Sequence, residues 1–167
     1  MRKAGFEREV ANRLKGAKKI VVMAVGDELD PRDCIGILAG RKISSARLKR
    51  VKVLQTSQMP ENFTSLVRRE KPSHVVVVDA TDFGGRPGEI ALIDPEQVAA
   101  TRVSTHAMPL SVIMAYLSME LATRVLLVGI QPPPLNGSMT GETILEMEKG
   151  ILRLNSIMRK AILEGKT

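Results

Sequence analysis

Four consecutive valines, Val75 to Val78, constrain this chain more than any other stretch. β-Branched side chains favour extended backbone. A run with no polar alternation suits a strand covered on both faces, as in the middle of a parallel sheet. The apolar run stops at Asp79. A carboxylate where a buried strand ends lies at the carboxyl edge of the sheet, and open α/β sheets collect their ligands there. Gly84, Gly85 and Gly88 with Pro87 then enforce irregular backbone, so Asp79 and Asp82 are expected to open onto a loop. Taken alone, one such Asp reads as a turn cap.

The remaining segments alternate in kind. Ile20 to Val25 predicts a first buried strand, Val51 to Leu54 a second nearer an edge, and Arg124 to Ile130 a further buried one. Glu89 to Ile93 predicts a short strand folding back antiparallel. Phe6, Val10 and Leu14 fall one helical turn apart, predicting a helix over 4–15 within an N-terminal segment 1–16 that Gly16 can end. Ile35, Leu38 and Ala39 predict the next helix face, and Pro60 opens a short helix through Arg69. Asp94-Pro95 starts a helical turn through Ala100, and Pro109 begins a helix with Leu110, Ile113, Met114 and Leu117 on one face. Ile144, Met147, Ile151, Leu154, Met158, Ala161 and Ile162 mark a long C-terminal helix over 142–163. This alternation predicts one α/β domain over 1–167, with three α/β/α layers, a twisted, mainly parallel sheet and helices on both faces.

Composition excludes several classes. Apolar residues at 44% and charged residues at 26% place the chain among globular proteins. No apolar run is long enough to span a bilayer, and no apolar signal core follows the charged N-terminus, so membrane insertion is not expected. A single cysteine excludes an intrachain disulfide and fits a reducing, cytoplasmic setting. The net charge of +7 invites a nucleic-acid reading. Aromatics at 2% remove stacking platforms, and the basic residues are scattered apart from Lys18-Lys19 and the 41–52 stretch. No nucleic-acid partner is expected, and a monomer is favoured.

The chemistry concentrates in three polar stretches. The first, Gly26 to Gly36, lacks dinucleotide-binding glycine spacing and instead carries Asp27, Glu28, Asp30 and Asp33. Such a loop repels phosphate and suits a cation, or it caps turns and the following helix. The second holds Asp79, and the third places His106 just before a helix. Asp33, Asp79 and His106 together offer two carboxylates and one imidazole, a ligand set for a divalent metal with open positions. A thiol–imidazole pair of Cys34 with His106 or His74 ranks lower, because no orienting third group is visible. Free cysteine is more often a small buried apolar residue. His74 reads as a surface or satisfied histidine, and Asp82 as a partner that orients His106 or, preferably, as a turn cap. Met108, Met114 and Met119 read as core filling. Gln131 either lines the cleft or simply leads into a stiff proline-rich loop.

The ordered motifs resemble a known family. Gly26-Asp-Glu-Leu-x-x-Arg-Asp33-x-x-Gly36 resembles the first motif of the hydrogenase maturation endopeptidases, and Asp79-Ala-Thr-Asp-Phe-Gly84 with Pro87-Gly-Glu-Ile90 resembles the second. Ser104-Thr-His106 with Met108-Pro-Leu110 is similar to the third, and Gly129-Ile-Gln-Pro132 to the fourth. The nearest type serves formate-hydrogenlyase-like hydrogenases. The resemblance implies an endopeptidase that removes a short C-terminal extension from the precursor of a nickel–iron hydrogenase large subunit, after nickel insertion. It also implies that Asp33, Asp79 and His106 contact nickel and carry the catalysis. The nickel would be supplied by the precursor rather than held by the free protein. A non-catalytic nickel- or partner-binding maturation chaperone is the other class. Three positions depart from the motif: Asp27 replaces Asn, Arg32 replaces an acid, and Cys34 replaces Gly. Arg32 beside a cation site is unfavourable unless its side chain turns away. Alanine at Asp33, Asp79 or His106 is expected to impair processing while lowering stability by about 1 kcal/mol or less, as for loop residues.

Overall fold

The computed structural model describes residues 3–94 and 109–164. In chain order these form α1 (Lys3–Arg13), β1 (Ile20–Val25), α2 (Ile35–Ser45), β2 (Val51–Ser57), a 3-10 turn (Pro60–Phe63) and α3 (Thr64–Glu70). Then follow β3 (His74–Ala80), β4 (Ile90–Ile93), α4 (Leu110–Leu121), β5 (Arg124–Ile130) and α5 (Gly141–Glu164). The five strands make one sheet in the order β2-β1-β3-β5-β4. Strands β2, β1, β3 and β5 are mutually parallel, and β4 pairs antiparallel with β5 at the edge.

The valine run explains the centre of the sheet. Every residue of β3 is buried, because β1 and β5 flank it and helices cover both its faces. Successive side chains alternate between the faces. Val76 and Val78 join Val22 and Val128 against Phe6 and Val10 of α1 with Leu14 just beyond it, Ile35 and Ala39 of α2, and Met147, Leu154 and Met158 of α5. Val75 and Val77 join Val21, Met23 and Leu127 against Val67 of α3 and the Leu110, Ile113, Met114, Leu117 stripe of α4. The three-layer, mainly parallel architecture follows from these two cores.

Several local expectations change. Helix α1 ends at Arg13, and Gly16 takes φ +76 beyond it. The 60–69 segment divides into a 3-10 turn and α3. Leu38 is 41% exposed, because the Ile35, Ala39, Ile43 stripe leaves it to one side of α2. Ile144 is likewise exposed at the start of α5. Met119 is 84% exposed rather than core, since two further residues rotate it away from the buried position of Leu117. Met114 is buried as expected. The turn from Pro95 to Ala100 and Met108 lie outside the described residues.

Strand β3 also runs further than its apolar run. Asp79 and Ala80 continue the ladder, aligned with Gly129 and Ile130 of β5. Asp79 is therefore a strand residue, 3% exposed, and not a loop residue.

Candidate functional site

The chain passes from β1 to β2 on one side, then returns to place β3 on the other side of β1. The reversal puts a topological switch point between the carboxyl ends of β1 and β3, the place where α/β sheets bind ligands. Two glycines let α2 close down on that point. A Cβ on Gly36 would lie 2.1 Å from the Val25 carbonyl oxygen, 2.8 Å from that of Val78 and 3.2 Å from the Asp79 Cα. The first turn of α2 thus rests directly on the ends of both strands. Gly26, at φ +142, bends the chain beneath the turn, and a Cβ there would sit 2.2 Å from the Asp33 carbonyl oxygen.

This packing brings Gly36, three residues after Asp33, onto the Asp79 backbone. Asp33 is half-buried, and its Oδ2 accepts from the Asp27 N–H at 2.7 Å, closing the loop on itself. Asp79 shares the face of Val75 and Val77, the side that α3 and α4 cover. His106, the third member of the predicted set, lies outside the described residues. Among the described residues, no group of three or more His, Cys, Asp or Glu side chains converges on a metal position.

Much of the acid in this loop serves its backbone. Asp27 Oδ1 accepts from Leu29 N–H at 2.9 Å, and Asp30 Oδ1 from Arg32 N–H at 2.8 Å. Asp27 needs only an acceptor for this, so aspartate fills the motif's Asn position. Glu28 pairs with Arg41 at 2.6 Å on the surface. The Arg32 side chain turns away from the loop and donates to the Pro133 carbonyl, joining the β1–α2 loop to the proline-rich one. Cys34 adopts φ −64 and ψ −11, ordinary right-handed backbone, so the glycine missing there is not needed.

The thiol–imidazole alternative loses ground on two counts. Burial, reinforced by the Asp30 charge, pushes the Cys34 thiol pKa up, away from thiolate. His74 opens β3 at the opposite end of the sheet. It is buried rather than a surface residue, and its Nδ1 meets Ser73 Oγ at 3.0 Å.

Gln131 is the residue whose part sequence reasoning underestimated. It is 4% exposed and every polar atom is used. Its Oε1 accepts from the N–H groups of Phe83 at 2.9 Å and Gly85 at 3.0 Å. Its Nε2 donates to Asp82 Oδ1 at 3.0 Å and to the Pro132 carbonyl at 3.1 Å. Its backbone donates to Glu89 O and accepts from Gly88 N–H. One side chain thereby staples the glycine-rich loop to the end of β5. Asp82 accepts from Gly84 N–H at 3.1 Å, the turn cap expected. The Gln131 amide and then the Gly84 N–H hold its carboxyl below the usual range. The loop also seats on α5, where a Cβ on Gly150 would lie 2.2 Å from the Gly88 carbonyl oxygen. An interior helical glycine is about 1 kcal/mol less favourable than alanine, so Gly150 was itself a sequence signal of close approach.

The sequence model of the hydrogenase maturation protease family matches residues 39–159. The matched span contains Asp79 and His106 and begins after Asp33. The hydrogenase 3 maturation protease of Escherichia coli K12 is 34% identical over 113 residues, covering 67% of this chain and 72% of that protein. The crystal structure of a NiFe hydrogenase maturation protease from Thermococcus kodakarensis superposes with a TM-score of 0.75 at 26% identity, over 90% of this chain and 99% of that one. The solution structure of the endopeptidase HycI from Escherichia coli gives a TM-score of 0.64 at 32% identity, over 83% and 90%.

Proposed function

This chain belongs to the hydrogenase maturation protease family, and on that premise we propose that it removes the C-terminal extension of a nickel–iron hydrogenase large-subunit precursor once nickel is inserted. The observation that supports the reading is the seating of α2 on the ends of β1 and β3, where Gly36, three residues after Asp33, meets the Asp79 backbone. Carboxylates on successive strand ends at one edge of the sheet are poorly suited to phosphate or nucleic acid. They suit a cation and the proton transfers of peptide hydrolysis.

Nickel in this scheme belongs to the substrate. Asp33, Asp79 and His106 approach the metal that the precursor already carries, and that contact sets the scissile peptide against the carboxylates. A water oxygen attacks the carbonyl carbon while a carboxylate takes its proton. The same carboxylic acid then protonates the leaving amine nitrogen as the C–N bond breaks. Asp79, nearly buried, and Asp33, half-buried, are the two candidates for that proton. Among the described residues no helix is long and apolar enough to cross a membrane.

The test is to incubate the pure protein with nickel-loaded precursor and follow its mass. Processing predicts loss of the C-terminal extension. A stable complex with a precursor of unchanged length identifies a chaperone instead.

A further inference from the structure

We propose that Leu29, Met59 and Leu135 form an apolar rim around the carboxyl edge that docks the folded precursor polypeptide, an inference that rests on the reading of the substrate as a protein. Among the described residues, these three are the exposed large apolar side chains that lie outside helices, at 91%, 54% and 83% exposure. Each follows the carboxyl end of a parallel strand: Leu29 after β1, Met59 after β2 and Leu135 after β5. Large apolar side chains left in water on loops, all at one end of the molecule, mark a surface that a partner covers.

The loops that carry them are fixed before any partner arrives. Gly26 N–H donates to Ser57 O at 3.1 Å, joining the β1–α2 loop to the end of β2. Arg32 donates to Pro133 O, joining the same loop to the one after β5. Leu29 is further held by its N–H to Asp27 Oδ1. A preorganised rim loses little conformational freedom on binding.

Charge selects the occupant. Asp27 and Asp30 lie on the same loop as Leu29, while Glu28 is paired with Arg41 and Arg32 is engaged by the Pro133 carbonyl, so the loop keeps a negative balance. A matching surface therefore presents apolar side chains together with positive charge, as a precursor carrying a metal cation would. A second copy of this chain is disfavoured, since an isologous contact sets each acidic loop against its own mate.

The experiment compares wild type with Leu29→Asp, Leu135→Asp and the double variant, with Met119→Ser as an exposed apolar control on α4. Binding of nickel-loaded large-subunit precursor is measured by calorimetry, and cleavage is followed separately by mass. Circular dichroism confirms that each variant folds. The double variant is expected to bind about tenfold more weakly or worse, as for central interface residues, with the control unchanged. Binding within twofold of wild type overturns the rim. So does a wild type that fails to bind the precursor, or a wild-type dimer that the double variant converts to monomer in sedimentation. A wild type that binds tightly but never cuts refutes the processing reading alone, while loss of binding in the double variant still supports the rim.

Discussion

At the amino end of the sheet, Lys18 and Lys19 lead into β1, Lys49 and Arg50 into β2 and Lys71 into β3, while Arg124 opens β5. At the carboxyl end, Asp27, Glu28, Asp30, Asp33, Asp79 and Asp82 occupy the corresponding places. Both ends hold a dense polar network, but the networks differ in purpose. At the amino end Ser73 Oγ accepts from the N–H groups of Lys18 at 2.9 Å and Lys19 at 3.1 Å and contacts His74 Nδ1. These bonds join the entries of β1 and β3, and backbone bonds from Arg124 to Ser73 O and from Ile20 to Arg50 O extend them to β5 and β2, all between strand ends rather than between loops and helices. At the carboxyl end Gln131 ties two loops together, and glycines bring α2 and α5 down onto backbone. The contrast teaches that titratable side chains near a strand end do not mark a site by their type. What marks it is the crossing of loops at the switch point, with backbone approach that a single Cβ would block.

Gly36→Ala tests that contrast most severely. Its Cβ would meet two carbonyl oxygens under 3 Å away, so α2 must lift off the sheet, and a loss of about 3 kcal/mol or more is expected in denaturant melts. Gly16→Ala, with open space at φ +76, should lose only about 1 kcal/mol.

Next in size is Gln131→Ala. It leaves the half-buried N–H groups of Phe83 and Gly85 without their acceptor and should lower stability by about 2 kcal/mol. Processing should fall more than tenfold as the loop beside Asp79 loses its staple. Ser73→Ala should weaken the fold to a similar degree while the precursor is still cut at the wild-type rate. Equal kinetic damage from both would erase the distinction between the ends.

A smaller effect concerns pH. Burial first, then the Arg124 charge, lowers the His74 pKa below its ordinary 6.5. Between the folded pKa and 6.5 the unfolded chain binds the extra proton, so the His74 contribution is complete above 6.5 and declines as pH falls through that window. His74→Asn should flatten the dependence of melting temperature on pH below 6.5. An unchanged slope would assign the dependence to other groups. Smallest of all, Lys49→Ala and Arg50→Ala at the amino end should shift stability by no more than about 0.5 kcal/mol and leave processing alone.

The valine run was legible because burial on both faces removes polar alternation, and the α4 stripe because burial of one face writes a helical period into the sequence. The extension of β3 through Asp79 was not, since it depends on Gly129 and Ile130 of a neighbouring strand. The staple of Gln131 was hidden for a similar reason: its acceptor oxygen serves N–H groups 46 and 48 residues away, and backbone donors carry no side-chain signature. The Cys34 departure looked disruptive only because sequence does not reveal that the position has negative φ. Treating Asp79 as a loop residue likewise understated its burial. An isosteric Asp79→Asn change therefore probes its charge more cleanly than alanine would.

The central claim is that the carboxylates at the switch point recognise nickel carried by the substrate and then act on the peptide beside it. The direct measurement is the cleavage rate of nickel-loaded and nickel-free precursor by wild type, Asp33→Asn and Asp79→Asn. Wild type should cut only the loaded precursor, and both variants should fold normally yet leave it intact. Equal cutting of nickel-free precursor by wild type, or wild-type rates in either variant, would contradict the account.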